Sequence, residues 1–175
     1  MGQVSGNKES FILLRKITIM IQRVQSIYLL LVVVLMSFLI VKPFAEVALQ
    51  DGQVAIYFSY AVKKYITQEH SELVIRTLPL IIMVCLIGLI SFMNIFQFNR
   101  RIFQMRVCVL NMLLMAGLMI MMFFYYYMVK SSLQVESHAL KLPVIFPVIG
   151  IILTLLAYRK IHEDEMLVRS YDHLR

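Results

Sequence analysis

The sequence contains little charge and almost no cysteine. Asp, Glu, Lys and Arg make up 15% of its 175 residues, against about a quarter in an ordinary soluble domain. Two cysteines are too few for a disulfide-stapled secreted scaffold. The apolar fraction is 61% and the mean hydropathy is +0.81, which excludes an intrinsically disordered chain. In so apolar a chain, the net charge of +7 indicates basic residues at membrane edges rather than nucleic-acid binding.

Four stretches carry no charged residue and approach the length of a membrane-spanning helix, which needs about 20 residues. They are Val24–Val41, Thr77–Asn99, Val107–Val129 and Leu142–Tyr158. The sequence therefore predicts an all-α membrane protein with a four-transmembrane-helix bundle in residues 20–158. Residues 1–19 are predicted to be a polar cytoplasmic arm, and residues 159–175 a cytoplasmic C-terminal helix.

The distribution of lysine and arginine predicts the orientation, because these residues gather on the cytoplasmic side of a membrane. The N-terminal segment, the link between spans two and three, and the tail together hold 11 of them, and the two other loops hold 6. Both termini are therefore predicted to be cytoplasmic.

Residues 42–76 form the longest connection on the outer side. Asp51-Gly52 separates two alternating apolar stretches, and this is the strongest short-range signal for a β-hairpin. Since a lone hairpin is marginal in water, we expect one face to be covered by the helix ends or by a partner. An irregular loop is the alternative. The predicted cross-strand pairs are Leu49 with Val54, Val47 with Ile56, and Ala45 with Phe58.

The segments around this hairpin and at the end of the chain are predicted to be helical. Residues 60–66 and 71–75 should lead helically into the second span, and residues 159–175 should continue the fourth helix into the cytoplasm. The tail is interpreted either as a solvated helix end or as a helix that docks on a partner. Its predicted partner contacts are Ile161, Leu167, Tyr171 and Leu174.

The short basic link Arg100–Arg106 makes spans two and three antiparallel neighbours. Counting residues inward from this link places Asn94 and Asn111 at matching depth, so we expect an interhelical hydrogen bond between them. Gly88 and Gly117 also match in depth and should allow close approach of the two backbones. Alternatively, these groups line a substrate cavity. The arginines of the link are predicted to attract anionic lipid headgroups; they are Arg100, Arg101 and Arg106.

The four uncharged runs lack the ionisable side chains that proton- and ion-coupled carriers normally hold at membrane depth. One outer constellation, His70 and Glu72 with Glu136 and His138, has the residue types of a zinc site. Its spacing is not specific, and solvated loop residues are the favoured interpretation. We therefore predict no catalytic residue, no metal site and no cofactor.

Two segments carry a resemblance to a known family. The stretch Met20–Met36, MIQRVQSIYLLLVVVLM, and the tail Arg159–Arg175, RKIHEDEMLVRSYDHLR, resemble a family of small four-span inner-membrane proteins of Bacteroidetes. That family is known only as a domain of unknown function. The resemblance implies a bacterial inner membrane and the same topology, but it brings no activity and no site residues.

The leading functional hypothesis is a non-enzymatic accessory or scaffold subunit of an inner-membrane complex. Its partners would be the lipid bilayer and other inner-membrane proteins, with no nucleic acid. A small carrier or flippase for an apolar or lipid-like molecule is the second hypothesis, and a membrane enzyme using the outer His and Glu residues is the third. The carrier would need a cavity lined by Ser91, Asn94, Asn111 and Thr154.

Overall fold

The computed structural model describes residues 24–49, 53–65, 71–97, 100–132 and 135–172. Within these residues, four helices are long and apolar enough to cross a membrane. They are α1 (Val24–Val41), α2 (Leu78–Phe96), α3 (Arg101–Ser132) and α4 (Phe146–Asp172, preceded by a 3₁₀ turn at Leu142–Ile145). The 32 residues of α3 span about 48 Å, which exceeds the roughly 30 Å of a hydrocarbon core.

The prediction of an all-α protein is wrong, because the chain also forms a five-stranded antiparallel sheet in the order β4-β3-β2-β1-β5. The helical continuation predicted for residues 60–66 and 71–75 is strand instead. Segments such as AVKKY and SELVIR suit a pleated surface, and strand propensity depends on neighbours distant in sequence. The strands are β1 (Ala45–Leu49), β2 (Val54–Tyr57), β3 (Ala61–Tyr65), β4 (Ser71–Arg76) and β5 (Val135–Leu140).

The predicted hairpin is confirmed, but its register differs by one residue. Ala48 lies opposite Val54, and the Leu49 N–H donates to the Gln53 carbonyl at 2.9 Å. Residues 50–52 thus separate the paired positions, so the connection is one residue longer than the predicted Asp51-Gly52 turn, which lies outside the described residues. A one-residue slip reverses which face each side chain occupies. Consequently Tyr57 is buried, and Ile56 is only half-buried.

The buried face of the sheet packs directly on the helices. Ala45, Val47, Ala55 and Tyr57 share one apolar core with residues of α1, α2 and α3. The Tyr57 ring centroid lies 5.8 Å from that of Tyr126 on α3. The expectation that helix ends cover the hairpin is therefore confirmed. We call this end of the helices the sheet end, and the end that carries Arg100, Arg101 and Arg106 the arginine end.

Side-chain hydrogen bonds attach the turn between β2 and β3 to the helices. The Ser59 hydroxyl donates to the Leu39 carbonyl of α1 at 2.6 Å, and the Thr77 hydroxyl, just before α2, donates to the Ser59 carbonyl at 3.1 Å. Ser59 and Thr77 are both fully buried. A salt bridge between Lys141 and Glu46 joins the end of β5 to β1. The sheet is thus held by polar contacts as well as by its core.

The continuous helix predicted beyond the fourth span is confirmed as far as Asp172. The start of that span differs slightly from the prediction, because residues 142–145 form a 3₁₀ turn that contains Pro143 and the α-helix begins at Phe146. Proline is tolerated at such a position, since the first backbone N–H groups of a helix have no partner within it.

Candidate functional site

Three side-chain hydrogen bonds connect α2 and α3 within the described residues. The Asn111 side-chain amide donates from Nδ2 to Ser91 Oγ at 2.7 Å, and Asn94 Nδ2 donates to Cys108 Sγ at 3.2 Å. The backbone carbonyl of Asn94 also accepts a hydrogen bond from Gln104 Nε2 at 3.2 Å. Each asparagine is therefore bonded across the helix pair, and the predicted direct Asn94–Asn111 bond is replaced by these bonds.

The shift in partners follows from the helix ends. The prediction treated residues 100–106 as the link, but α2 ends at Phe96 and α3 begins at Arg101. Asn94 thus lies about 3 Å from the end of its helix, whereas Asn111 lies about 15 Å from the start of its own. The two residues do not share a depth. Each observed partner lies three residues from the predicted one, Ser91 before Asn94 and Cys108 before Asn111, and neither was predicted as a partner.

Most of the residues proposed to line a carrier cavity are used inside the protein. Ser91 and Thr154 are fully buried and Asn111 nearly so. The Thr154 hydroxyl donates to the Gly150 carbonyl of its own helix at 2.8 Å, and Ser91 bonds Asn111 as described above. Asn94, in contrast, lines a surface cavity.

That cavity is a groove between α2 and α3 near the arginine end, with a volume of about 210 Å³. The walls are apolar except for Asn94 and Gln97, and Asn94 Oδ1 is buried there without a hydrogen-bond partner in the described part of the chain. A buried acceptor without a donor is costly. The groove residues are Leu89, Ile90, Met93, Asn94, Gln97, Phe103, Val107 and Leu110.

The three arginines at this end have different environments. Arg101 Nη1 lies 3.0 Å from Asp164 Oδ2 and donates to the Asp164 carbonyl at 3.2 Å, so this side chain holds α4. Arg100 and Arg106 are exposed. Asp164 was not among the predicted site residues. The sequence does contain a signal for this pairing, because Asp164 is a carboxylate six residues beyond the fourth uncharged run, on the side of the membrane predicted for Arg101.

The four predicted partner contacts of the tail also differ in their environments. Ile161 is fully buried and packs with Leu29, Cys108 and Ala157, so it contributes to the protein's own core and is not available to a partner. Leu167 and Tyr171 lie on the helical backbone of α4. Leu174 lies outside the described residues.

The two predicted glycines differ in outcome, because Gly117 of α3 faces α2 as predicted and Gly88 of α2 does not face α3. A side chain at Gly88 would face Met36 of α1 rather than α3, with its Cβ 3.8 Å from the Met36 Cβ. At Gly117 it would meet the Met83 methyl of α2 at 3.4 Å. The tightest position is Gly150 of α4, where an added Cβ would lie 2.9 Å from Met115 Sδ. The glycine contact between α4 and α3 is thus tighter than the one between α3 and α2.

The strand positions of Glu72 and of Glu136 and His138 lie far apart in the sheet. Glu72 lies on β4, and Glu136 and His138 lie on β5; these are the two edges of the sheet, separated by three strands. Four strand spacings amount to about 19 Å, too far for one metal ion. His70 lies outside the described residues. Elsewhere in the described ranges, no group of three or more His, Cys, Asp or Glu could hold a metal.

Tyr57 is a large side chain with a polar group that is enclosed at the sheet end. It is fully buried, and its hydroxyl has no hydrogen-bond partner in the described residues. Desolvation by burial raises the pKa of this hydroxyl, and the neighbouring Tyr126 raises it further. The side chain therefore contributes through its ring, which packs on Phe44 and Tyr126.

These features define a membrane protein in which apolar helices carry a sheet at one end. Large apolar side chains cover the outer faces of the helices, among them Ile82, Leu113 and Ile120, and surfaces of this kind are stable against lipid rather than water. The chain belongs to the family described as a domain of unknown function, DUF4293, which matches residues 21–174. No curated protein matches the chain.

Proposed function

We propose that this protein is a non-enzymatic accessory or scaffold subunit of a complex in a bacterial inner membrane. In this proposal the four helices span the membrane as a bundle, both termini are cytoplasmic, and the sheet lies on the outer side. The observation that carries the proposal is a sheet packed on the helix ends, in which both edge strands are open as far as the described residues go. β4 and β5 each pair with a single strand among the described residues.

An open edge offers a row of backbone N–H and C=O groups to an extended segment of another protein. Each edge strand has six residues and each exposes a large apolar side chain, Leu73 on β4 and Leu140 on β5. The shared core and the Ser59 and Thr77 bonds fix the sheet on the helices. A partner strand bound at an edge would therefore be held in a fixed position relative to the membrane.

The polar groups within the helices favour this function over a carrier. Ser91, Asn111 and Thr154 are buried and bond one another or their own helix, and Asn111 Oδ1 has no hydrogen-bond partner in the described part of the chain. Such bonds stabilise helix packing in a membrane. A carrier would need some of these groups free to contact cargo.

The proposal is tested by purifying the tagged protein from its native membrane in mild detergent and quantifying co-purified proteins by mass spectrometry. A scaffold subunit should bring down the same proteins at a fixed ratio. Leu73→Lys or Leu140→Lys should release a partner bound at that edge. The matched control is Val54→Lys, which adds the same charge on the central strand β2. Purification of the wild-type protein alone, with no protein at a fixed ratio, would contradict the proposal.

A truncation after Met166 separates the tail from the folded core. Removing residues 167–175 leaves Ile161 and Asp164 in place, whereas a cut before Arg159 would remove both from their buried contacts. If the tail docks on a partner, the shorter protein should keep its thermal stability and lose that partner.

A further inference from the structure

We propose that the groove between α2 and α3 is a binding site for an anionic phospholipid that carries hydroxyl groups on its head, of the phosphatidylglycerol type. The acyl chain would lie on the apolar walls, and the phosphate would lie against Arg100 and Arg106. This inference goes beyond the scaffold function and does not depend on it.

The shape and lining of the groove fit an acyl chain. Its volume is about 210 Å³, and it is open to the surface, since Leu89, Met93 and Phe103 are each at least half exposed. One wall comes from the last turns of α2, and the other from the first turns of α3. The groove therefore runs inward from a helix end, which is the direction of a lipid chain below its headgroup.

The charge at the mouth of the groove fits a phosphate. Arg100 lies in the link between the two walls, three residues after Gln97 and three before Phe103, and Arg106 directly precedes Val107. Both arginines are exposed, and neither forms a salt bridge within the described residues. Arg101, by contrast, is neutralised by Asp164. Two unneutralised guanidinium groups beside an apolar groove favour an anionic headgroup.

Asn94 adds a requirement for a hydrogen-bond donor. The residue is 3% exposed, its Nδ2 donates to Cys108 Sγ, and its Oδ1 has no hydrogen-bond partner among the described residues. A buried acceptor is stabilised when a donor reaches it. The glycerol hydroxyls of phosphatidylglycerol are donors and the choline head of phosphatidylcholine has none, so a donor-bearing, anionic lipid matches both polar features of the site.

The test is native mass spectrometry of the full-length protein in detergent, after incubation with equimolar phosphatidylglycerol and phosphatidylcholine of the same chains. The wild-type protein should retain one phosphatidylglycerol in clear preference to phosphatidylcholine. Each arginine near an anionic surface accounts for about a fivefold change in affinity, so Arg100→Gln/Arg106→Gln should weaken retention about 25-fold. Val107→Trp, which fills the groove, should reduce it as well.

Two controls match these variants. Arg159→Gln removes one exposed positive charge on α4 at the same end, and Leu113→Trp adds the same indole on an exposed position of α3 outside the groove. Both should retain phosphatidylglycerol, and soluble glycerol phosphate should not displace it. Equal retention of the two lipids by the wild-type protein would overturn the proposal. So would an unchanged Arg100/Arg106 variant, or a protein dimer that Val107→Trp disrupts while no lipid is bound.

Discussion

Arg101 and Asp164, which are 63 residues apart in the chain, join the start of α3 to the far part of α4 through one guanidinium nitrogen. Arg101 Nη1 lies 3.0 Å from the Asp164 carboxylate and 3.2 Å from the Asp164 carbonyl. The Asp164 side chain is 6% exposed and that of Arg101 is 21% exposed. Replacing Arg101 and replacing Asp164 should therefore change the stability by different amounts, since the carboxylate is the more buried charge.

Arg101→Gln should lower the free energy of unfolding by about 1–3 kcal/mol, which is below the value for a fully buried pair because Arg101 keeps some exposure. Asp164→Asn should cost less, since a neutral amide needs no counter-charge. Thermal denaturation in a mild detergent measures both. Lys160→Gln, which breaks the exposed Lys160–Glu163 pair, should leave the midpoint unchanged. If Asp164→Asn proves the more damaging change, the interpretation of the pair is wrong.

The bond between Asn111 and Ser91 allows a second prediction about helix pairing. Ser91→Ala leaves the buried Asn111 amide without an acceptor and should destabilise the protein by about 1–2 kcal/mol. The double variant Ser91→Ala/Asn111→Leu should be more stable than Ser91→Ala alone, because it leaves no unpaired polar group at this contact.

Unfolding in denaturing detergent measures these effects on the α2–α3 pair. Ser37→Ala is the matched control, since the Ser37 hydroxyl is exposed and donates to the Val33 carbonyl within α1. Equal stability of Ser91→Ala and the double variant would show that the Asn111 amide finds another partner.

The sequence predicted the helices well because the membrane imposes a length and a composition on each span. Val24–Val41 is helical throughout, and the tail helix follows from a pattern without proline or glycine. β3, β4 and β5 could not be predicted in this way. β5 pairs with β1 about 90 residues earlier, and a local pattern of six residues contains no information on such a partner.

Only part of the candidate site was predicted, because the rest depends on how distant segments pack. Asn94 and Asn111 were identified because a polar side chain in an apolar run stands out against its neighbours. Their partners depend on where α2 and α3 end, and helix boundaries are the least certain part of a sequence prediction. The groove depends on the shape of two packed surfaces, so hydropathy alone does not contain it.

Tyr57→Phe should stabilise the protein by about 1 kcal/mol, because it removes a buried hydroxyl without a partner and keeps the ring. Burial raises the pKa of Tyr57 in the folded protein, so the unfolded chain loses this proton first as the pH rises above about 10. Stability that is present below this pH is lost above it. The Phe variant should show a smaller alkaline loss in thermal denaturation at pH 8 to 11. Tyr127→Phe, at an exposed position of α3, should change neither quantity.

Gly150 should tolerate alanine but not valine. An added Cβ would lie 2.9 Å from Met115 Sδ, and a flexible thioether can move away from one methyl group. Valine would force α3 and α4 apart and should cost about 1–3 kcal/mol. Gly88→Ala, with 3.8 Å to the nearest atom, is the control and should be neutral or stabilising by up to about 1 kcal/mol. A smaller penalty for Gly150→Val in a Met115→Ala background would identify Met115 as the obstacle.

The orientation in the membrane can be tested at two exposed positions, one at each end of the helices. Ala139 lies on β5 at the sheet end, and Glu163 lies on α4 at the arginine end. If the arginine end is cytoplasmic, Ala139→Cys should react in intact cells with a thiol reagent that cannot cross membranes, and Glu163→Cys should react only after permeabilisation. The native thiols serve as the background, since Cys108 is buried and Cys85 lies within α2. The reverse labelling pattern would place the sheet in the cytoplasm and would require the partners of its edge strands to be sought there.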